Sequence, residues 1–168
     1  MALSEEPVDR IAQKVTPFLW FDHEAEEAAN FYVSVFENSR VQNVWRYGKA
    51  GPGPEGTVMT ISFQLAGQQF TALNGGPHFR FNEAVSFVVS CADQKELDYF
   101  WDKLSEGGKE SDCGWLKDRY GLSWQIVPAN LPELLKGDDP EAAGRVMKAL
   151  FQMKKLDIAA LENARDQK

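Results

Sequence analysis

Residues 16–36 read TPFLWFDHEAEEAANFYVSVF, and residues 84–104 read AVSFVVSCADQKELDYFWDKL. Laid residue n on residue n + 68, the two stretches share one plan: an apolar strand-like run, a polar junction, then apolar residues at helical spacing. In the first copy Thr16 to Phe21 is the strand, and Asp22 is placed to cap a helix carrying Glu24, Glu26 and Glu27 in its positive first turn. Ala25, Ala28, Ala29, Tyr32, Val35 and Phe36 fall on one face of that helix. In the second copy Ala84 to Val89 is the strand, Asp93 and Glu96 form a capping box, and Leu97, Phe100, Trp101 and Leu104 make the apolar stripe. Phe31-Tyr32 overlies Tyr99-Phe100, Leu19 overlies Phe87, and Phe36 overlies Leu104.

Each helix is followed by strands. After Asn38-Ser39 come Val41 to Tyr47, a glycine- and proline-rich loop from Gly48 to Gly56, and Thr57 to Leu65, whose residues alternate apolar and polar. Gly67 turns the chain into Gln69 to Asn74, ended by Gly75-Gly76-Pro77. After Gly107-Gly108 come short strands near Lys109–Cys113 and Trp115–Tyr120, then Leu122 to Val127 before Pro128. The pattern predicts an α+β protein built from two β-α-β-β-β modules, a duplication being more economical than ten unrelated elements. The expected organisation is a polar leader over 1–14, paired modules over 15–128 (about 15–76 and 83–128), and a helical extension over 129–168. In that extension Asn130 with Glu133, Asp139-Pro140 and Asp157 are the expected helix starts.

Composition narrows the function classes. Lys plus Arg is 18 and Asp plus Glu is 25, a formal charge of −7, which argues against a nucleic-acid partner and against docking on an anionic membrane. No apolar run approaches the roughly 20 residues of a spanning helix, and the first residues do not resemble a secretory signal. With only Cys91 and Cys113, reduced thiols and a cytoplasmic location are expected. Neither Gly75-Gly76 nor Gly107-Gly108 lies between a strand and a helix, so no nucleotide loop is evident, and no nucleophile elbow occurs.

Several runs resemble one family: Thr16 to Asp22, Asn30-Phe31-Tyr32, Leu73-Asn74-Gly75-Gly76, Ser86 to Val89, the long string Gly114 to Pro128, and the tail from Arg145 to Asp157. Together they are similar to the vicinal oxygen chelate superfamily (glyoxalase, bleomycin resistance, dioxygenase). Within it they resemble the PhnB-like branch labelled 3-demethylubiquinone-9 3-methyltransferase domain. The resemblance implies curved sheets forming a cup, completed in a homodimer. It also implies a divalent metal held by His and Glu side chains on the first and last strands of the modules. The matching positions here are Thr16, Thr71, Ala84 and Gln125, a poor set for a mid-row metal, so no metal and no cofactor are expected.

Strand parity and that resemblance point to a ligand site of Phe18, Trp20, Asn74, His78, Phe79, Phe81, Ser86 and Gln125, an aromatic lining with few polar anchors suited to a flat small molecule. The bland alternative is that these aromatics pack a core or a dimer seam. His78 lies in the loop between the modules, whereas His23 reads as a solvated helix-start residue. Lys117, Asp118 and Arg119 read as a solvated hairpin with local ion pairs, and Cys113 has no cation or histidine beside it to make it a nucleophile. The expected function is a cytoplasmic small-molecule-binding protein lacking the usual metal ligands. Two alternatives stand: a metal-dependent lyase, isomerase or dioxygenase with non-standard ligands, such as His78 with a carboxylate from a second subunit, and a methyltransferase acting on a quinone precursor.

Overall fold

The structure is a computed structural model that describes residues 13–167; most of the leader and Lys168 lie outside the described residues. The chain forms an α+β fold of two compact units, one ending at Phe79 and the other beginning at Arg80. Among the described residues, no helix is long and apolar enough to cross a membrane.

The first unit runs β1 (Phe18–Phe21), α1 (Ala25–Val35), β2 (Arg40–Arg46), β3 (Val58–Leu65) and β4 (Gln68–Asn74). Its four-stranded sheet has the order β1-β4-β3-β2, with β1 parallel to β4 and the other pairs antiparallel. Period-two alternation sends Leu19, Phe21, Ile61, Phe63, Phe70 and Ala72 towards α1, where Ala28, Ala29 and Tyr32 are buried. Small alanines let the helix approach closely, and Tyr32, Phe63 and Phe70 stack in series at centroid distances of 6.4 and 5.5 Å. The β3–β4 hairpin turns on Ala66 and Gly67, both with positive φ, the backbone that a two-residue turn between twisted strands demands.

The second unit repeats the order: β5 (Ser86–Cys91), α2 (Gln94–Ser105), β6 (Lys109–Glu110), β7 (Trp115–Lys117) and β8 (Ser123–Pro128), in a sheet ordered β5-β8-β7-β6. Again the parallel pair joins the first and last strands, which a helical crossover permits. The capping box forms: Asp93 accepts from the Glu96 amide at 2.8 Å, and Glu96 reaches back to the Ala92 amide at 2.6 Å. Leu97, Trp101 and Leu104 are buried on the sheet as expected, whereas Phe100 is only half-buried.

Three helices follow: α3 (Leu131–Leu134), α4 (Pro140–Leu150) and α5 (Ile158–Asp166). Asp139 and Asp157 cap α4 and α5 through the Ala142 and Ala160 amides. Asn130 makes no such cap and donates to Glu162 instead. The tail is stitched into the second unit: Cys113 and Gly114 amides donate to the Met153 and Lys154 carbonyls at 2.7 and 2.8 Å, and the Gln94 side chain holds both Leu156 and Ile158. Gly114 has φ +81°, and a Cβ there would lie 2.8 Å from the Ile126 carbonyl oxygen, so glycine is required.

Three local expectations are corrected. First, α1 is not capped by Asp22; its Ala25 amide is bound by Asn74 Oδ1 at 2.8 Å, from the far end of β4. Second, Asp118 is not solvated. It is 2% exposed and accepts from the Tyr120 and Leu122 amides and from Trp124 Nε1. Third, β6 and β7 are shorter than expected: Cys113 and Gly114 both adopt positive φ, which breaks the ladder, and Asp118 begins a turn. On β3, Gln64 is buried, donating to the Asn38 carbonyl while its oxygen accepts from Gln69.

Candidate functional site

In each unit one sheet face packs on its helix, and the expected site residues belong to the other face or to the loops beside it, except Asn74, which follows Phe70 and Ala72 on the α1 face of β4. In the first unit Phe18 and Trp20 point away from α1. Phe18 is 59% exposed. Trp20 is half-buried, donates from Nε1 to the Gly76 carbonyl at 2.9 Å, and meets Phe79 edge-on at 4.9 Å. A Cβ at Gly75 would sit 2.2 Å from the indole, so the Gly75-Gly76 turn is what admits the ring. His78 is exposed and makes no hydrogen bond or ion pair among the described residues.

Asn74 has a structural assignment. Besides holding Ala25, its Nδ2 donates to the Val58 carbonyl at 3.0 Å, and its own carbonyl accepts from Tyr47 Oη at 2.9 Å. It borders a cavity of about 400 Å³ with Asp22, His23, Tyr47, the 52–54 loop and Gly75-Gly76.

In the second unit the register sets Ser86 opposite Ser123 and Val88 opposite Gln125, all on the face away from α2. Gln125 Nε2 donates to Ser86 Oγ at 2.9 Å, so these two anchors are joined. Phe81 is half-buried in the connection before β5. The structure therefore brings together Trp20 with Phe79, and Ser86 with Gln125.

The four positions matching the usual metal ligands offer two hydroxyls, a methyl and one amide: Thr16, Thr71, Ala84 and Gln125. Such neutral donors do not fit a zinc, manganese or iron ion, and among the described residues no group of three or more His, Cys, Asp or Glu side chains could hold one. Nucleophilic chemistry has no better support. Burial, helped by Glu96 and Asp93, pushes the Cys91 thiol up to about 12, and burial with Asp112 raises that of Cys113. Neither strand-to-helix junction, Asp22-His23-Glu24 or Ala92-Asp93, is a glycine-rich loop of the kind that cradles S-adenosylmethionine in a Rossmann fold.

Residues 13–127 match the family described as 3-demethylubiquinone-9 3-methyltransferase. The chain belongs to that family. Among solved structures, the PhnB protein of Bacillus cereus, described under the same 3-demethylubiquinone-9 3-methyltransferase name, is 39% identical over 68% of this chain and 99% of its own, with a TM-score of 0.64. Protein PA1353 from Pseudomonas aeruginosa is 18% identical over 70% of this chain and 97% of its own, at a TM-score of 0.57. The fosfomycin resistance protein FosX of Listeria monocytogenes is 14% identical over 76% and 99%, at 0.50, a likeness of fold. No curated protein matches. The family matched is the branch, labelled 3-demethylubiquinone-9 3-methyltransferase and PhnB-like, that the sequence resembles.

The sequence did not point to a second cavity, of about 480 Å³, in the second unit. Ser123, Lys109, Lys117, Trp115 and Phe151 are among its lining residues. Phe151 reaches it from the end of α4, a placement that depends on the 113–114 to 153–154 pairing and has no local sequence pattern.

Proposed function

We propose that this chain is a small-molecule-binding protein of the glyoxalase and bleomycin-resistance type, holding its ligand by aromatic contact and a few neutral polar anchors. The observation that supports it best is apolar exposure. Phe18, Phe79 and Val88 are each more than half exposed beside or on strands whose other face is packed. Apolar side chains held in the open by a rigid sheet gain by covering a ligand's apolar surface. In the first unit Phe18, Trp20 and Phe79 supply that contact in this reading, with His78 as a hydrogen-bonding group and Asn74 framing the neighbouring turn. In the second unit Phe81 supplies it, with Ser86 and Gln125 as the polar anchors.

The family name raises methyl transfer, but neither strand-to-helix junction gives S-adenosylmethionine a cradle, and calorimetric titration of it is expected to show no heat. The protein is also read as a homodimer. Edge strand β2 exposes Val44 and Trp45, and a bare apolar edge favours pairing.

Native mass spectrometry of the protein as purified tests the reading. The expected spectrum is a dimer without metal-sized increments, and any organic adduct would identify the ligand class. A dimer carrying a divalent metal, with ligand affinity lost in EDTA and restored by manganese or zinc, would overturn it in favour of a metal-dependent enzyme. Trp45→Glu is expected to move the mass to that of the monomer.

A further inference from the structure

The cavity of about 480 Å³ in the second unit has the size of small-molecule sites generally. Its composition is specific. Ser123 lines it, is 1% exposed, and its Oγ has no hydrogen-bond partner among the described residues. The contrast with Ser86, directly opposite in the sheet, is informative. Ser86 Oγ accepts from Gln125, whereas Ser123 Oγ is buried and unused. A buried hydroxyl without a partner is costly, and alanine would fill the same sheet position without that cost.

Around this hydroxyl stand two cations and two aromatic rings. Lys117, opposite Ser123 on β7, is paired with Glu83 at 2.5 Å. The Lys117 hydrogen bond, with the Glu83 backbone and the weaker fields of Lys117 and Lys109, holds the Glu83 carboxyl below its ordinary range. Lys109 itself has no carboxylate within ion-pair distance among the described residues, which leaves an ammonium for an incoming anion. Trp115 and Phe151 supply flat apolar walls, and the neutral Cys113 thiol adds to them. Asp112 also lines the cavity and disfavours a dianion.

We propose that this cavity binds a small aromatic monocarboxylic acid bearing a hydroxyl or carbonyl group. The ring lies against Trp115 and Phe151, the carboxylate meets Lys109, and the second polar group pairs with Ser123 Oγ. This goes beyond the binding reading above, because none of its eight residues lines this cavity.

Calorimetry on the full chain with three probes tests it: 6-hydroxy-2-naphthoate, 2-naphthoate and 6-hydroxy-2-naphthamide. The hydroxy acid is expected to bind tightest. Ser123→Ala should weaken it about fivefold while leaving 2-naphthoate unchanged, as loss of one hydrogen bond predicts. Lys109→Met should weaken both acids about fivefold and leave the amide unchanged. Circular dichroism checks that each variant is folded. Absence of heat for all three probes at millimolar concentration overturns the proposal, as does an affinity that either variant leaves within about twofold. Probe binding lost in Phe18→Ala and Trp20→Ala but indifferent to the cavity variants would leave the first reading standing and remove this one.

Discussion

Removing the Asp118 carboxylate should destabilise the second unit more than any other single polar truncation near its site. The carboxylate accepts from the Tyr120 amide at 2.9 Å, the Leu122 amide at 3.1 Å and Trp124 Nε1 at 2.8 Å, and the last two of these contacts are buried. In Asp118→Ala those two donors lose their acceptor where water does not replace it, at about 1–3 kcal/mol each, so about 4 kcal/mol in all is expected. Asp118→Asn keeps one acceptor oxygen but turns an NH₂ group towards a donor, for about 2–3 kcal/mol. At about 2–4 °C per kcal/mol for a chain of this size, the alanine variant should melt about 8–16 °C lower. Urea unfolding followed by circular dichroism measures the difference at constant m-value. A loss below about 1 kcal/mol in Asp118→Ala would refute the account of this turn as an organised hub. The consequence reaches the site, because the turn closed by Asp118 launches β8, which carries both Ser123 and Gln125.

Three further outcomes follow from the same geometry. With the Cys91 thiol near pKa 12, only about one molecule in 10⁴ is thiolate at pH 8, so iodoacetamide should label Cys91 only on unfolding; rapid labelling of native protein would contradict its burial. The Asp98–Lys155 pair at 2.9 Å lowers the Asp98 carboxyl through hydrogen bonds from Lys155 and Gln94, and raises the Lys155 ammonium through its bond to Asp98. Its contribution is complete between the ordinary carboxylate and ammonium ranges, lost as pH falls through the lowered Asp98 value, and lost again as pH rises through the raised Lys155 value. Both side chains are well exposed, so Lys155→Met should cost no more than about 0.5 kcal/mol at pH 7, a cost that shrinks as pH falls through the lowered Asp98 value, read from urea midpoints. Gly114→Ala should cost about 2–3 kcal/mol by thermal melting, because it combines a left-handed backbone with a contact of 2.8 Å to the Ile126 carbonyl oxygen.

The duplicated architecture was legible because its determinants are local. Alternation in β3, the Asp93–Glu96 box, the Asp139 and Asp157 caps and the Ala66-Gly67 turn each lie within a few residues of what they organise. What escaped is long-range. Asn74 caps a helix 49 residues earlier, and the Cys113-Gly114 backbone is completed by Met153 and Lys154. No periodicity reports such pairings, because they depend on where two elements meet rather than on either element's own pattern. The same limit hid the burial of Asp118, whose Lys-Asp-Arg setting reads as solvent-facing until Trp124 is seen to donate into it.

For the site this limit has a sharper consequence. By residue type, Asn74 and Ser123 are equal candidates for a polar anchor. Their hydrogen bonds separate them. Both polar atoms of the Asn74 side chain already hold the frame, one at the start of α1 and one on Val58, so neither carries a cost that a ligand would relieve. Ser123 is buried with its capacity unused, so a partner there would relieve a cost instead of adding one. A polar residue becomes an anchor when its surroundings leave its hydrogen bonding incomplete, and that is a property of the packed chain. The unsatisfied hydroxyl among Lys109, Trp115 and Phe151 therefore weighs more in locating a ligand than a count of suitable residue types along the strands.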